Sequence, residues 1–188
     1  MKAVLLIILA VLLVAGIGLY GTVKGTYNEL VKLDEGVKGK WAQVENQLQR
    51  RFDLIPNLVN TVKGYAEHER GVFIDVTEAR SRVGTAGNIP DKIEANNELS
   101  GAISRLLLVV ENYPQLKANE NFIRLQDELA GTENRIATER MRYNDSVVVL
   151  NTKLRTFPTN IIAGFFDFEK AVLFDAPEEA SQAPKVEF

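Results

Sequence analysis

Six large side chains, Phe122, Leu129, Ile136, Tyr143, Leu150 and Phe157, fall seven positions apart without a gap. At 3.6 residues per turn, positions seven apart share one face of an α-helix. The spacing predicts one long helix over Lys117–Arg155, roughly 57 Å in length, with Phe157-Pro158 ending it. On the flanking heptad position Gln126, Glu133 and Arg140 precede Val147 and Leu154. One half of this helix therefore borders polar groups, and the other half is apolar on both positions.

The same period runs through the rest of the body. Leu30, Val37 and Val44 interleave with Trp41 and Leu48 in steps of four and three, and Ile55, Leu58, Val62 and Tyr65 continue the stripe. Val72, Phe73 and Val76 follow it. Pro56 falls within that run. A proline costs about 3 kcal/mol inside a helix but is tolerated in a first turn, and Asp53 stands ready to accept that turn's free N–H groups. We place a helix–helix turn near Arg51–Pro56, with segments of about 22–51 and 54–83. One long kinked helix is the alternative, because the heptad phase carries across. Gly84–Asp91 (GTAGNIPD) reads as a loop. A third segment, about Asp91–Asn112, turns Ile93, Leu99, Ile103, Leu106, Leu107 and Val110 inward and is broken by Pro114. Near the end Phe165, Phe166, Phe168 and Phe174 crowd a short span that suits a small docked helix. Four amphipathic helices with short joints make an all-α, up-down four-helix bundle the expected fold.

The start of the chain is different in kind. Ala3–Val23 is an uncharged run of 21 residues between Lys2 and Lys24. As a helix it reaches roughly 32 Å, enough for a hydrocarbon core of about 30 Å. Tyr20 sits near its far boundary, where an amphipathic ring is favoured. A cleaved signal peptide is the competing reading. The run is long for a signal core, and Val14-Ala15-Gly16, the nearest small-residue site, lies inside it. The expected organisation is an N-terminal single transmembrane helix (1–23), a helical body (24–175) and an acidic, Pro-bearing tail (176–188). Lys24, Lys32, Lys38 and Lys40 outnumber Lys2 and the terminal amine, which favours an outside N-terminus and a cytoplasmic body on the inner cell membrane.

Composition removes several chemistries. There are 0 Cys, so disulfides, thiolate nucleophiles and thiolate metal sites are excluded. A single His excludes histidine-clustered metals and the Glu-x-x-His pairs of di-iron bundles. A net charge of -3 and a pI near 5.4 argue against nucleic acid as a partner. Gly16-Ile17-Gly18-Leu19-Tyr20-Gly21 spells a dinucleotide fingerprint, but within a membrane span it lacks the strand–turn–helix context that gives that motif meaning. His68 stands between Glu67 and Glu69. Neighbours on a helix point about 100° apart and do not converge on one ion, so a surface or capping histidine is expected. No cofactor is expected.

Three groupings remain. Arg50, Arg51 and Asp53 cluster at the proposed turn, with Asn57 and Asn60 beyond it, and Glu133, Asn134, Arg135, Glu139 and Arg140 cluster on the last long helix. Buried arginines need carboxylate partners. The two clusters read as a polar network fixing helix register, with an anion site or acid/base chemistry as alternatives. The third grouping is the C-terminus, where Val186 and Phe188 form an apolar–x–apolar–carboxylate end. Such an end docks in a partner's groove by strand addition, folds back on its own chain, or stays unattached.

The strings YNELV, QRRFDLIPNLVNTVKGYAEHE, YPQLKANENF, ENRIATERMRYND, FPTN and the closing PKVEF resemble the LemA family of bacterial membrane proteins over nearly the whole chain. The resemblance implies a single N-terminal span and a four-helix soluble part. It brings no established activity, cofactor or catalytic residue. Some members are associated with magnetosome formation, and others occur beside membrane stress or protease genes. The expected function is a membrane-anchored interaction or scaffold protein, not an enzyme. Its partners would be the bilayer and other proteins or further copies of itself. The alternative is a small-ligand or anion receptor, or an enzyme, using the Arg/Glu cluster.

Overall fold

The computed structural model describes residues 2–66 and 68–174. They form six helices in chain order: α1 (Lys2–Lys63), α2 (Arg70–Thr85), α3 (Ile89–Val110), α4 (Pro114–Lys117), α5 (Glu120–Arg155) and α6 (Thr159–Phe165). The described residues contain no strand, so the fold is all-α. Glu67, the tail and the proposed docking residues Val186 and Phe188 lie outside the described residues.

The expected turn at Arg51–Pro56 does not form. α1 continues through Pro56 to Lys63, and the next helix begins only at Arg70. Two physical reasons favour this outcome. The stripe Trp41, Val44, Leu48, Ile55, Leu58 and Val62 is buried without a change of phase, and a turn would throw half of it into water. The cost of Pro56 is also reduced from outside the helix. Its missing N–H leaves the Phe52 carbonyl without an i+4 donor, and Arg80 on α2 donates to that oxygen from Nε at 3.4 Å. The Arg80 guanidinium lies 3.9 Å from the centroid of the Phe52 ring, adding a cation–π contact.

The chain divides into two compact units. Of the described residues, one takes 2–40 and 144–171, the other 41–143 and 172–174.

In the second unit α2 and α3 lie against the end of α1 and the start of α5. Their shared core holds Ile55, Leu58, Val62, Phe73, Val76, Leu99, Ile103, Leu106, Leu116, Phe122 and Leu129. Each such side chain contributes about 1.5–3 kcal/mol on burial. α3 starts two residues earlier than expected because Asn88 caps it, its Oδ1 accepting from the Asp91 N–H at 2.9 Å, with Pro90 in the first turn. Asn119 caps α5 in the same way, accepting from the N–H groups of Asn121 and Phe122 at 3.0 and 3.1 Å. Its amide also donates to the Tyr65 hydroxyl at 3.0 Å, and the Tyr113 hydroxyl donates to Glu69 at 3.2 Å. The α1–α2 turn is thereby tied to the α3–α5 connection. Burial, and then the neighbouring Glu69 carboxylate, hold the Tyr113 phenol above its ordinary pKa. Trp41 meets Tyr143 edge-on at 5.2 Å, and the Tyr143 hydroxyl donates to the Val172 carbonyl at 2.6 Å. Burial raises this phenol's pKa as well.

In the first unit Leu30, Val37, Val147, Leu150 and Leu154 are buried. Lys153 pairs with Glu29 at 2.9 Å. The Asn151 amide reads the backbone of Ala171 in both directions, donating to its carbonyl at 2.8 Å and accepting from its N–H at 3.0 Å. Residues 2–22 at the head of α1 are exposed throughout, and this stretch is long and apolar enough to cross a bilayer. The phenylalanine-rich segment departs from expectation. α6 forms, but its inward residues are Thr159 and Ala163, while Phe165 is 80% exposed. Phe157 leaves the inward series of α5 and is also 80% exposed, because the helix stops at Arg155. Asp167 then reverses the chain with φ 55°, a left-handed conformation that Asp tolerates.

Candidate functional site

The steps of four and three along α1 run 37, 41, 44, 48, 51, 55, 58, 62. Arg51 is therefore the one charged residue on an apolar stripe. α3 places Asn96 among Ile93, Leu99 and Ile103 on its buried face, and α5 places Glu133 between Leu129 and Ile136. These three interruptions meet. Arg51 Nη1 donates to Glu133 Oε1 at 2.9 Å and to Ser100 Oγ at 2.8 Å. Arg51 Nη2 donates to Asn96 Oδ1 at 2.6 Å and to the Asn96 carbonyl at 3.2 Å. The Arg51 side chain is 2% exposed, whereas that of Glu133 is 43% exposed.

The surroundings hold these groups in place. The Asn96 amide donates to the Lys92 carbonyl and Ser100 Oγ to the Asn96 carbonyl, so both α3 partners are fixed to their own helix. Lys92 pairs with Glu45 on α1, and the buried Thr132 hydroxyl bonds back to the Glu128 carbonyl. Arg51 Nε and Gln47 Oε1, one turn apart on α1, are buried without a hydrogen-bond partner among the described residues.

A planar guanidinium with four contacts from two terminal nitrogens is a rigid fork. It joins α1, α3 and α5 at one level, and sliding any of the three helices by a residue would break it. Its terminal N–H groups face protein oxygens, leaving little donor capacity for an incoming anion. The one hydroxyl in contact with it, Ser100 Oγ, donates to the Asn96 carbonyl, and no group of three His, Asp or Glu residues among the described residues is arranged to hold a metal.

The other residues singled out by sequence do not join this centre. Arg50 is exposed, and Asp53 is exposed and accepts from Gln49 at 2.9 Å. Asn57 lines an open polar groove of about 490 Å³ with Asn60, Asn121, Arg124 and Glu128. Arg140 is half-buried, its guanidinium 5.6 Å from the centroid of the Phe174 ring. His68 is exposed. A further groove, about 720 Å³, opens between α2 and α3. Two ion pairs of opposite sense bridge it, Arg82–Glu98 at 2.8 Å and Arg105–Asp75 at 3.6 Å. Sequence reasoning missed Asn96 and Ser100. The signal for Asn96 was present, since it occupies an inward position of the α3 stripe.

The model of the LemA family matches residues 40–188. Magnetosome protein MamQ 2 of Paramagnetospirillum magneticum is 26% identical over 174 residues, covering 79% of this chain and 64% of that protein. Magnetosome protein MamQ of Magnetospirillum gryphiswaldense is 24% identical over 89% of this chain and 71% of that protein. Protein LemA of Metamycoplasma hominis is 24% identical over 82% of this chain and 71% of that protein. The aligned region thus spans less than two thirds of the first of these relatives.

Proposed function

The chain belongs to the LemA family, and from that premise we propose that it is a single-pass membrane protein whose helical body is an interaction or scaffold surface. Residues 1–23 are the anchor, 24–175 the body and 176–188 a tail. α1, α2, α3 and α5 form an up-down bundle. The bilayer is one partner, and other proteins or further copies of the chain are the rest. The body faces the cytoplasm, by the lysine count next to the anchor. The magnetosome description belongs to the MamQ relatives, and it supports a membrane setting without supplying an activity.

One observation carries this reading. Residues 2–22 at the head of α1 are exposed, while the same helix from Leu30 onward carries a buried stripe. An exposed apolar helix of that length is stable in lipid, where it satisfies its own backbone, and is costly in water. The Arg51–Asn96–Glu133 centre supports a scaffold in a different way. Its donors serve helix register, and a surface that binds partners benefits from helices locked at one level.

The test is alkaline carbonate extraction of the full chain, followed by a topology assay with crosslinking in cells. The expected result is the untrimmed chain in the membrane pellet, crosslinked to protein neighbours or to itself. A soluble chain trimmed of its first residues would overturn the anchor. A membrane-bound chain with no crosslinked neighbour would overturn the scaffold role.

A further inference from the structure

Within the first unit, α6 is built inside out for a helix in water. Thr159 and Ala163, one turn apart, face inward, while Ile161 is 62% exposed and Phe157 and Phe165 are each 80% exposed. Ile161 and Phe165, four apart within α6, share one side of it, and Phe157 is exposed in the turn just before the helix. Residues 156–166, between Arg155 and Asp167, carry no charge.

The position of the segment along α1 is given by direct contacts. The Phe166 ring lies 4.8 Å and the Phe168 ring 5.7 Å from the ring of Tyr27. Tyr27 is four residues beyond Val23, the last of the uncharged run, which is about 6 Å along the helix axis. The polar interface on each side of a bilayer core is about 5–7 Å deep. Charge resumes on α1 at Lys24, and Lys153 and Glu29 pair just past the level of Tyr27.

We propose that Phe157–Phe166 is an interfacial lipid-binding element. Phe157, Ile161 and Phe165 enter the headgroup–acyl boundary of the same leaflet that the N-terminal helix leaves. The occupant of this face is the bilayer surface, in continuity with the anchor. The inference rests on the reading of Ala3–Val23 as a membrane span. It adds a second foothold, which fixes the rotation of the helix pair about the membrane normal in a way a lone span does not.

The chain has no cysteine, so single spin labels are placed without background at Ile161→Cys and Phe165→Cys. Leu12→Cys in the run and Leu108→Cys on exposed α3 are the references. The full chain is reconstituted in phosphatidylcholine–phosphatidylglycerol vesicles, and collisions with oxygen and with a water-soluble nickel chelate are measured. Labels at 161 and 165 are expected to meet the chelate at least about threefold less often than the label at 108, with increased oxygen contact. That is the behaviour of a face buried about 5–10 Å into the boundary. Chelate access equal to that at 108, with 12 protected, would overturn the interfacial element and leave the anchor standing. Protection from both reagents with spin–spin broadening would overturn it in favour of a second copy. Chelate access at 12 as well would overturn anchor and element together.

Discussion

Arg80 reaches across from α2 to donate to the backbone carbonyl of Phe52 at 3.4 Å, the oxygen for which Pro56 has no N–H to offer. The relationship explains why a proline sits inside a helix that does not stop there. It also makes a thermodynamic prediction. Arg80→Ala should cost about 1–2 kcal/mol, from one long hydrogen bond and the cation–π contact with Phe52. In a Pro56→Ala background the helix supplies its own donor, so the same substitution should cost about 1 kcal/mol less. Urea unfolding of the four chains in detergent, followed by circular dichroism, gives the coupling. Equal costs in both backgrounds would show that the carbonyl is not what Arg80 serves.

The Arg51 centre predicts an order of effects. Arg51→Ala removes a buried fork and leaves Asn96 and Ser100 without their donor, a loss of about 3 kcal/mol or more. Glu133→Gln should cost only about 1 kcal/mol, because the carboxylate is 43% exposed and partly screened by water. Arg51→Lys should fall nearer to Ala than to the parent, since a single ammonium does not reproduce the fork. If Glu133→Gln proves as damaging as Arg51→Ala in denaturant midpoint, the centre depends on charge pairing more than on geometry.

Tyr113 and Tyr143 give a pH dependence. Both phenols are held above their ordinary pKa, Tyr113 by burial and then Glu69, Tyr143 by burial. A group whose pKa is higher folded than unfolded contributes stability in full below its unfolded value, about 10 for tyrosine. That contribution disappears as pH rises through the higher folded value. Melting temperature should therefore fall from about pH 10 upward. Tyr113→Phe and Tyr143→Phe should each flatten that decline. Tyr143→Phe should also cost about 1 kcal/mol at neutral pH by leaving the Val172 carbonyl without this donor.

Asn119 predicts a separation of two roles. Asn119→Asp keeps the oxygen that caps α5 and loses the amide donor to Tyr65. Asn119→Ala loses both, and should cost about 1 kcal/mol and speed hydrogen exchange in the first turn of α5. If Asp exchanges as fast as Ala, the tie to Tyr65 outweighs the cap.

Most of the helical architecture was legible because apolar spacing is a local property. The series from Trp41 to Val62 and from Phe122 to Leu150 are buried where a 3.6-residue period places them. Pro56 misled because its cost was weighed within one helix, whereas the group that offsets it, Arg80, stands 28 positions away in sequence. Glu133 and Arg140 share a heptad position, yet one meets Arg51 and the other lies over Phe174. Periodicity assigns a face and cannot assign a neighbour.

The sequence alone established that this protein is helical, that its first stretch is uncharged and long enough to span a bilayer, and which face of each long helix turns inward. Only the tertiary structure decided where α1 ends, which polar residues meet at Arg51, and that α6 presents its large side chains outward. Burial follows from a period repeated along one helix. A hydrogen bond to a guanidinium or an orphaned carbonyl requires two distant segments to arrive at the same point, and no local pattern records that meeting.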